Sequence, residues 1–156
     1  MCMFAQDDRT EKSRELIDRE NRAMAYIETG DNEKAAAEYE ALLQEFPEWH
    51  NGRGWYNLAG CYEDLGRLKE AESAYRRGIP YDPNNPLLVG GLASFLCVHG
   101  NARESYEQHL KLLSINSQNG DEGAAADNRL VLRELGKRLG LSDGSIEQAI
   151  VSVTQT

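Results

Sequence analysis

Residues 55–83 read WYNLAGCYEDLGRLKEAESAYRRGIPYDP, and their spacing decides the fold. Trp55 and Leu58 are three apart and Tyr62 is four further on, so all three lie on one face of a helix. Gly66 follows at the end of that helix, where the backbone often turns left-handed and glycine does so without steric penalty. Ala71 is small enough to let a second helix pack closely on the first, and Tyr75 lies one turn further along it. Pro83 closes the unit, because proline cannot continue a helix.

The same order recurs on both sides. Upstream stand Tyr26, Gly30, Ala35, Tyr39 and Pro47; downstream stand Leu92, Ala93, Leu96, Gly100 and Ser105, with His109 at the second aromatic position. Gly66 and Gly100 are 34 residues apart, whereas Gly30 and Gly66 are 36 apart, so two residues are inserted around 49–51. Any helical hairpin favours a turn glycine and a small residue at its crossing. The full order of Trp, Leu, Tyr, Gly, Ala, aromatic and Pro is that of the tetratricopeptide unit. The chain resembles the tetratricopeptide repeat (TPR) family, with Ala59 in place of the family's Gly after Leu58 and Tyr75 in place of its Phe.

The resemblance implies an all-α fold: an α-α superhelix, or solenoid, of three helix-turn-helix repeats with C-terminal capping helices. The expected layout is a disordered N-terminus at 1–11, repeats at about 16–51, 52–85 and 86–119, and capping helices over 121–156. Helices are expected near 12–28, 32–45, 52–65, 68–79, 87–99, 102–113, 122–139 and 143–153, with a polar break at 114–120. In the helix at 122–139, Leu130, Leu135 and Leu139 are the expected inward contacts. A terminal repeat needs a cap with one polar face, which that helix supplies.

Composition narrows the function classes. At 156 residues the chain suits one domain, and no apolar run approaches the roughly 18 residues needed to span a bilayer. The start, MCMFAQDDRTEK, lacks the basic and apolar regions of a secretory signal. Cys2, Cys61 and Cys97 have no metal-like spacing and are odd in number, so a reducing, cytoplasmic setting is expected. The net charge is −9, concentrated in the first repeat, where Asp18, Glu20, Glu28, Asp31, Glu33, Glu38, Glu40, Glu45 and Glu48 face only Arg19, Arg22 and Lys34. Such a chain gains nothing from neutralising phosphate, so nucleic acid is a poor partner. Solubility alone also accounts for the acidity.

Family members bind peptides or partner helices in a concave groove lined by the first helix of each repeat. Carried over by position, this places Ile17, Glu20, Asn21, Met24, Ile27 and Glu28 on the groove face of the first repeat. The second contributes Arg53, Tyr56, Asn57, Gly60, Glu63 and Asp64; the third contributes Leu87, Gly90, Gly91, Ser94, Cys97 and Val98. Tyr56 offers an aromatic wall, and Asn57 an amide able to bond a peptide backbone, although the repeat also tolerates Asn there without a ligand. Some relatives clamp the acidic tails of Hsp70 and Hsp90 with Lys, Arg and Asn, and of those positions only Asn57 matches. Glu20, Met24, Leu87 and Gly91 stand where the clamp needs Lys, Asn and cations. The expected ligand is instead basic or neutral at the first two repeats and apolar at the third.

The tail offers a rival. LRELGKRLGLSDGSIEQAI at 132–150 looks like a DNA-binding helix-turn-helix, with Gly136, Gly140, Leu141 and Ile146 in suitable places. Its second helix carries Asp143 and Glu147 and no cation, which would repel phosphate. Packing on the last repeat, filling of the chain's own groove, or self-association through Ile146, Ile150 and Val151 are the other uses. No catalytic constellation emerges: His50, His99 and His109 are scattered, and no phosphate loop, metal set or cofactor motif occurs. The sequence reads as a non-catalytic interaction module or adaptor.

Overall fold

The computed structural model describes the backbone of residues 4–155 and the side chains of residues 12–155. Among these residues it contains eight α-helices and no strand. They are α1 (Phe4–Glu28), α2 (Asn32–Glu45), α3 (Arg53–Asp64), α4 (Leu68–Gly78), α5 (Pro86–His99), α6 (Ala102–Gln118), α7 (Glu122–Arg138) and α8 (Asp143–Thr154), with a short 3-10 turn at Ile79–Tyr81. The helices fall into two compact units, Met1–Gly78 and Ile79–Thr156.

In the first unit, α1 packs on α2, α2 on α3 and α3 on α4. Helix α1 begins inside the segment expected to be a disordered N-terminus, and no Gly or Pro interrupts the chain from Phe4 to Glu28; residues 1–3 lie outside the described residues. Gly30 and Gly66 take positive φ, as their turns require. Asp31 caps α2 by accepting a hydrogen bond from the Lys34 N–H. The inserted residues form the turn before α3, where His50, Asn51 and Gly52 all have positive φ. Gly52 is obligatory there, because a Cβ would stand 2.4 Å from the Gly78 carbonyl oxygen.

The repeat residues form the core of this unit. Ala35 and Ala71 are fully buried at the crossings, among Tyr39, Leu42, Trp55, Leu58 and Tyr62. Cutting Leu42 back to Ala at this depth would cost about 2–5 kcal/mol. The Trp55 indole N–H donates to the Pro47 carbonyl at 2.6 Å, which ties the second repeat to the end of the first. Helix α4 stops at Gly78, five residues before Pro83; Pro80, inside the 3-10 turn, is the proline that ends it.

In the second unit, α5 packs on α6, α6 on α7, and α8 on both α6 and α7. Asn85, Asn101, Asp121 and Ser142 cap the four helices. The polar break expected at 114–120 is mostly helix: α6 continues to Gln118, and only Asn119 and Gly120 turn the chain. Packing overrides turn chemistry here, because Ile115 and Asn116 are buried.

The inward face of α7 also differs from expectation. Leu130 is 63% exposed, and Leu132 joins Leu135 in the core, with Leu139 packed at its edge. Tyr106, Leu113, Ala125, Ile146 and Ile150 complete that core. Self-association through Ile146 and Ile150 is therefore corrected, because both are buried against α6 and α7, and of the three named residues only Val151 is exposed. Gly136 serves the same packing: a Cβ there would come within 2.6 Å of Ile146.

Candidate peptide-binding groove

The groove residues of the first unit lie on one face of α1 and one face of α3. On α1, Ile17, Asn21, Met24 and Glu28 are exposed, while Glu20 and Ile27 are half-buried. On α3, Arg53 and Asp64 are exposed, and Tyr56, Asn57, Gly60 and Glu63 are half-buried. No atom other than its own helix backbone lies within 4 Å of where a Gly60 Cβ would sit, so this position is open.

Tyr39, fully buried on α2, joins the two faces. Its hydroxyl donates to the Met24 Sδ at 3.2 Å and accepts from the Asn57 Nδ2 at 2.9 Å. Burial pushes the Tyr39 hydroxyl up to about 12, although the Asn57 bond works against that shift, so it stays a neutral donor. Asn57 is thereby fixed in orientation. Its other amide hydrogen and its carbonyl oxygen have no partner among the described residues.

Three carboxylates of these two faces are each aimed by a neighbour. Glu20 Oε2 lies 3.1 Å from His50 Nε2, on the inserted turn. Glu63 accepts from the Tyr75 hydroxyl at 2.6 Å, and Asp64 accepts from the Asn32 amide at 3.2 Å. Tyr56 meets the Tyr75 ring edge-on at 5.8 Å between centroids. Burial, then the Glu63 bond, raises the Tyr75 hydroxyl far above its ordinary range. Tyr39, His50 and Asn32 belong to this arrangement, yet the sequence marks Tyr39 only as a packing aromatic.

In the second unit, Leu87, Gly91, Ser94 and Val98 follow one another along a single face of α5. Leu87, Ser94 and Val98 are exposed, Val98 by 74%, and Gly90, Gly91 and Cys97 are half-buried. His109 sits at the aromatic position on α6 and is buried. Its Nδ1 lies 2.7 Å from the Asn128 Oδ1, and the Asn128 amide donates to the His109 carbonyl at 2.7 Å.

The tail forms a hairpin of α7 and α8, but Glu147 of the would-be recognition helix is held by Arg133 at 2.6 and 3.1 Å. Burial, and secondarily Asp64, pushes the Cys61 thiol up to about 11, as suits a packing residue. Among the described residues no group of three His, Cys, Asp or Glu could hold a metal, and no helix is long and apolar enough to cross a membrane.

The tetratricopeptide repeat family model matches residues 26–95. Over 74 residues, 47% of this chain, the sequence is 31% identical to small glutamine-rich tetratricopeptide repeat-containing protein 2 of Mycosarcoma maydis; the match spans 20% of that relative's length. The TPR2B domain of yeast Sti1, solved as a pHsp70 complex, superposes with a TM-score of 0.69 at 16% identity, covering 79% of this chain and 97% of that domain. The Yersinia enterocolitica type III secretion chaperone SycD, solved with a peptide of the translocator YopD, superposes at 0.70 and 17% identity, covering 80% of this chain and 95% of SycD. With the hairpins, turn glycines and crossing alanines in place, residues 26–95 match the tetratricopeptide repeat family and the chain has the fold of tetratricopeptide repeat domains.

Proposed function

We propose that this protein is a non-catalytic interaction module, and that the α1–α3 face of its first unit receives a peptide or partner helix with a basic or neutral character. The observation that carries this reading is the Met24–Tyr39–Asn57 link, which fixes an amide with open hydrogen-bonding capacity between the two helices. The same faces of α1 and α3 carry Glu20, Glu28, Glu63 and Asp64, against Arg53 as the one cation among the named groove residues of these helices. Complementary charge then selects a cationic segment and disfavours a carboxylate-rich one. The α5 strip of Leu87, Ser94 and Val98, exposed around the half-buried Gly91, is proposed for apolar contacts. The pHsp70 complex of the Sti1 domain and the YopD peptide complex of SycD support binding as the use of such a surface.

The test uses two labelled amphipathic peptide pools with the same apolar residues, one carrying Lys and the other Glu. The Lys pool should bind more tightly, lose affinity as salt rises, and weaken five-fold or more against Glu28→Lys, an exposed position, and against Glu63→Lys/Asp64→Lys. Equal binding of both pools, or indifference to both variants, would overturn the reading. Circular dichroism of each variant separates lost binding from lost folding, since Glu63 and Asp64 also hold Tyr75 and Asn32.

A further inference from the structure

A second concave feature of the first unit lies away from the groove face. Tyr56, Asn57, Gly60 and Glu63 occupy one side of α3; Trp55, Leu58 and Tyr62 occupy another and line a cleft between α2 and α4. Its larger part, of about 250 Å³, is floored by Leu43, Trp55 and Leu58 and edged by Glu40 and Arg77. An adjoining part of about 160 Å³ shares Trp55, Leu58, Tyr62 and Arg77 and reaches Glu70 and Ser73 on α4.

Charge is unevenly committed around this cleft. The Arg77 guanidinium lies over the Trp55 ring at 4.2 Å, and Arg77 makes no ion pair among the described residues. A guanidinium stacked on an aromatic face keeps its N–H donors at the edge, in the plane where a carboxylate docks. The acidic groups at the rim are already engaged. Glu40 accepts the Tyr62 hydroxyl at 2.6 Å and lies 3.9 Å from Arg67; Glu70 lies 3.2 Å from the same Arg67. The cleft thus pairs an apolar floor with one uncommitted cation. Neither part alone reaches the roughly 300 Å³ at which small-molecule pockets begin, and each has room for one side chain of a larger partner.

We infer that this cleft is a second docking site, for a partner protein segment that seats an aliphatic or aromatic side chain on Leu43, Trp55 and Leu58 and places a neighbouring Asp or Glu on Arg77. Its charge preference is opposite to that of the groove face, so the two sites take different segments.

The probes are Ac-Glu-Phe-NH2 and Ac-Gln-Phe-NH2, titrated into the full-length labelled protein with the Trp55 indole N–H and the Arg77 Nε–H followed by NMR. The Glu peptide should move both signals and bind at least three-fold more tightly than the Gln peptide. Arg77→Gln, an exposed position, should remove that preference, and Ser73→Phe, which fills the cleft from α4, should remove the shifts. Silence at Trp55, equal affinity for the two peptides, or an unchanged preference in Arg77→Gln would overturn the inference. Shifts confined to Tyr56, Asn57 and Glu63 would overturn it equally, because they assign both peptides to the groove.

Discussion

Two glycines of the same repeat make opposite predictions. Gly52 has φ +88 and a Cβ there would stand 2.4 Å from a backbone oxygen, so Gly52→Ala is penalised by both conformation and contact. It should cost on the order of 1–3 kcal/mol. Gly60 lies inside α3 with open space around it, so Gly60→Ala should stabilise by about 0.5–1 kcal/mol through helix propensity alone. Denaturant midpoints of the two variants check this; a neutral Gly52→Ala or a destabilised Gly60→Ala would contradict the geometry. The pair also shows what the sequence discloses at this scale. Gly66 is marked by its place in the repeat, whereas the need for Gly52 arises from Gly78, which is remote in sequence. Asn57 is similar: its place on the groove face follows from the repeat, but its bond to Tyr39 depends on how two helices meet.

At the scale of helices, the α6–α7 pair carries a buried titratable group. Burial holds the His109 imidazole below its ordinary 6.5, and the Asn128 bond only partly opposes this. The unfolded chain takes up a proton near 6.5 while the folded chain resists it. The contribution is therefore complete above that pH and lost as the pH falls from there through the folded value. The stability of the wild type should drop between pH 7 and pH 5 more steeply than that of His109→Phe, in which the position is the aromatic the repeat prefers. Thermal melts across that range read the difference in slope, and parallel slopes would refute it. The carboxylates lowered by ion pairs, such as Glu38 beside Arg22 and Glu147 beside Arg133, act at lower pH and cancel between the two proteins. Helix positions were largely legible in the sequence, because turn glycines and capping residues are local signals. Those that were not, the extension of α6 to Gln118 and the inward turn of Leu132, were decided by burial against α8 and α6, which local signals do not carry.

At the scale of the molecule, the open question in the sequence was what the last sixteen residues do. In the structure α8 belongs to the core of the second unit: Ile146 and Ile150 are buried with Tyr106, Leu132 and Leu135, and Gly136 exists without a side chain to admit Ile146. Losing two such aliphatic side chains costs about 2–5 kcal/mol each, which approaches the 5–15 kcal/mol that holds a whole domain together. A chain ending at Gly140 should therefore lose cooperative packing in its second unit, bind a hydrophobic dye, and retain the signals of Trp55 and Tyr39 in the first. Full-length protein and truncation compared by NMR and dye binding read both halves at once. If the truncated chain keeps native-like signals for Leu132 and Leu135 and binds no dye, α8 is not part of the cap, and its exposed Val151 edge becomes the place to look for its role.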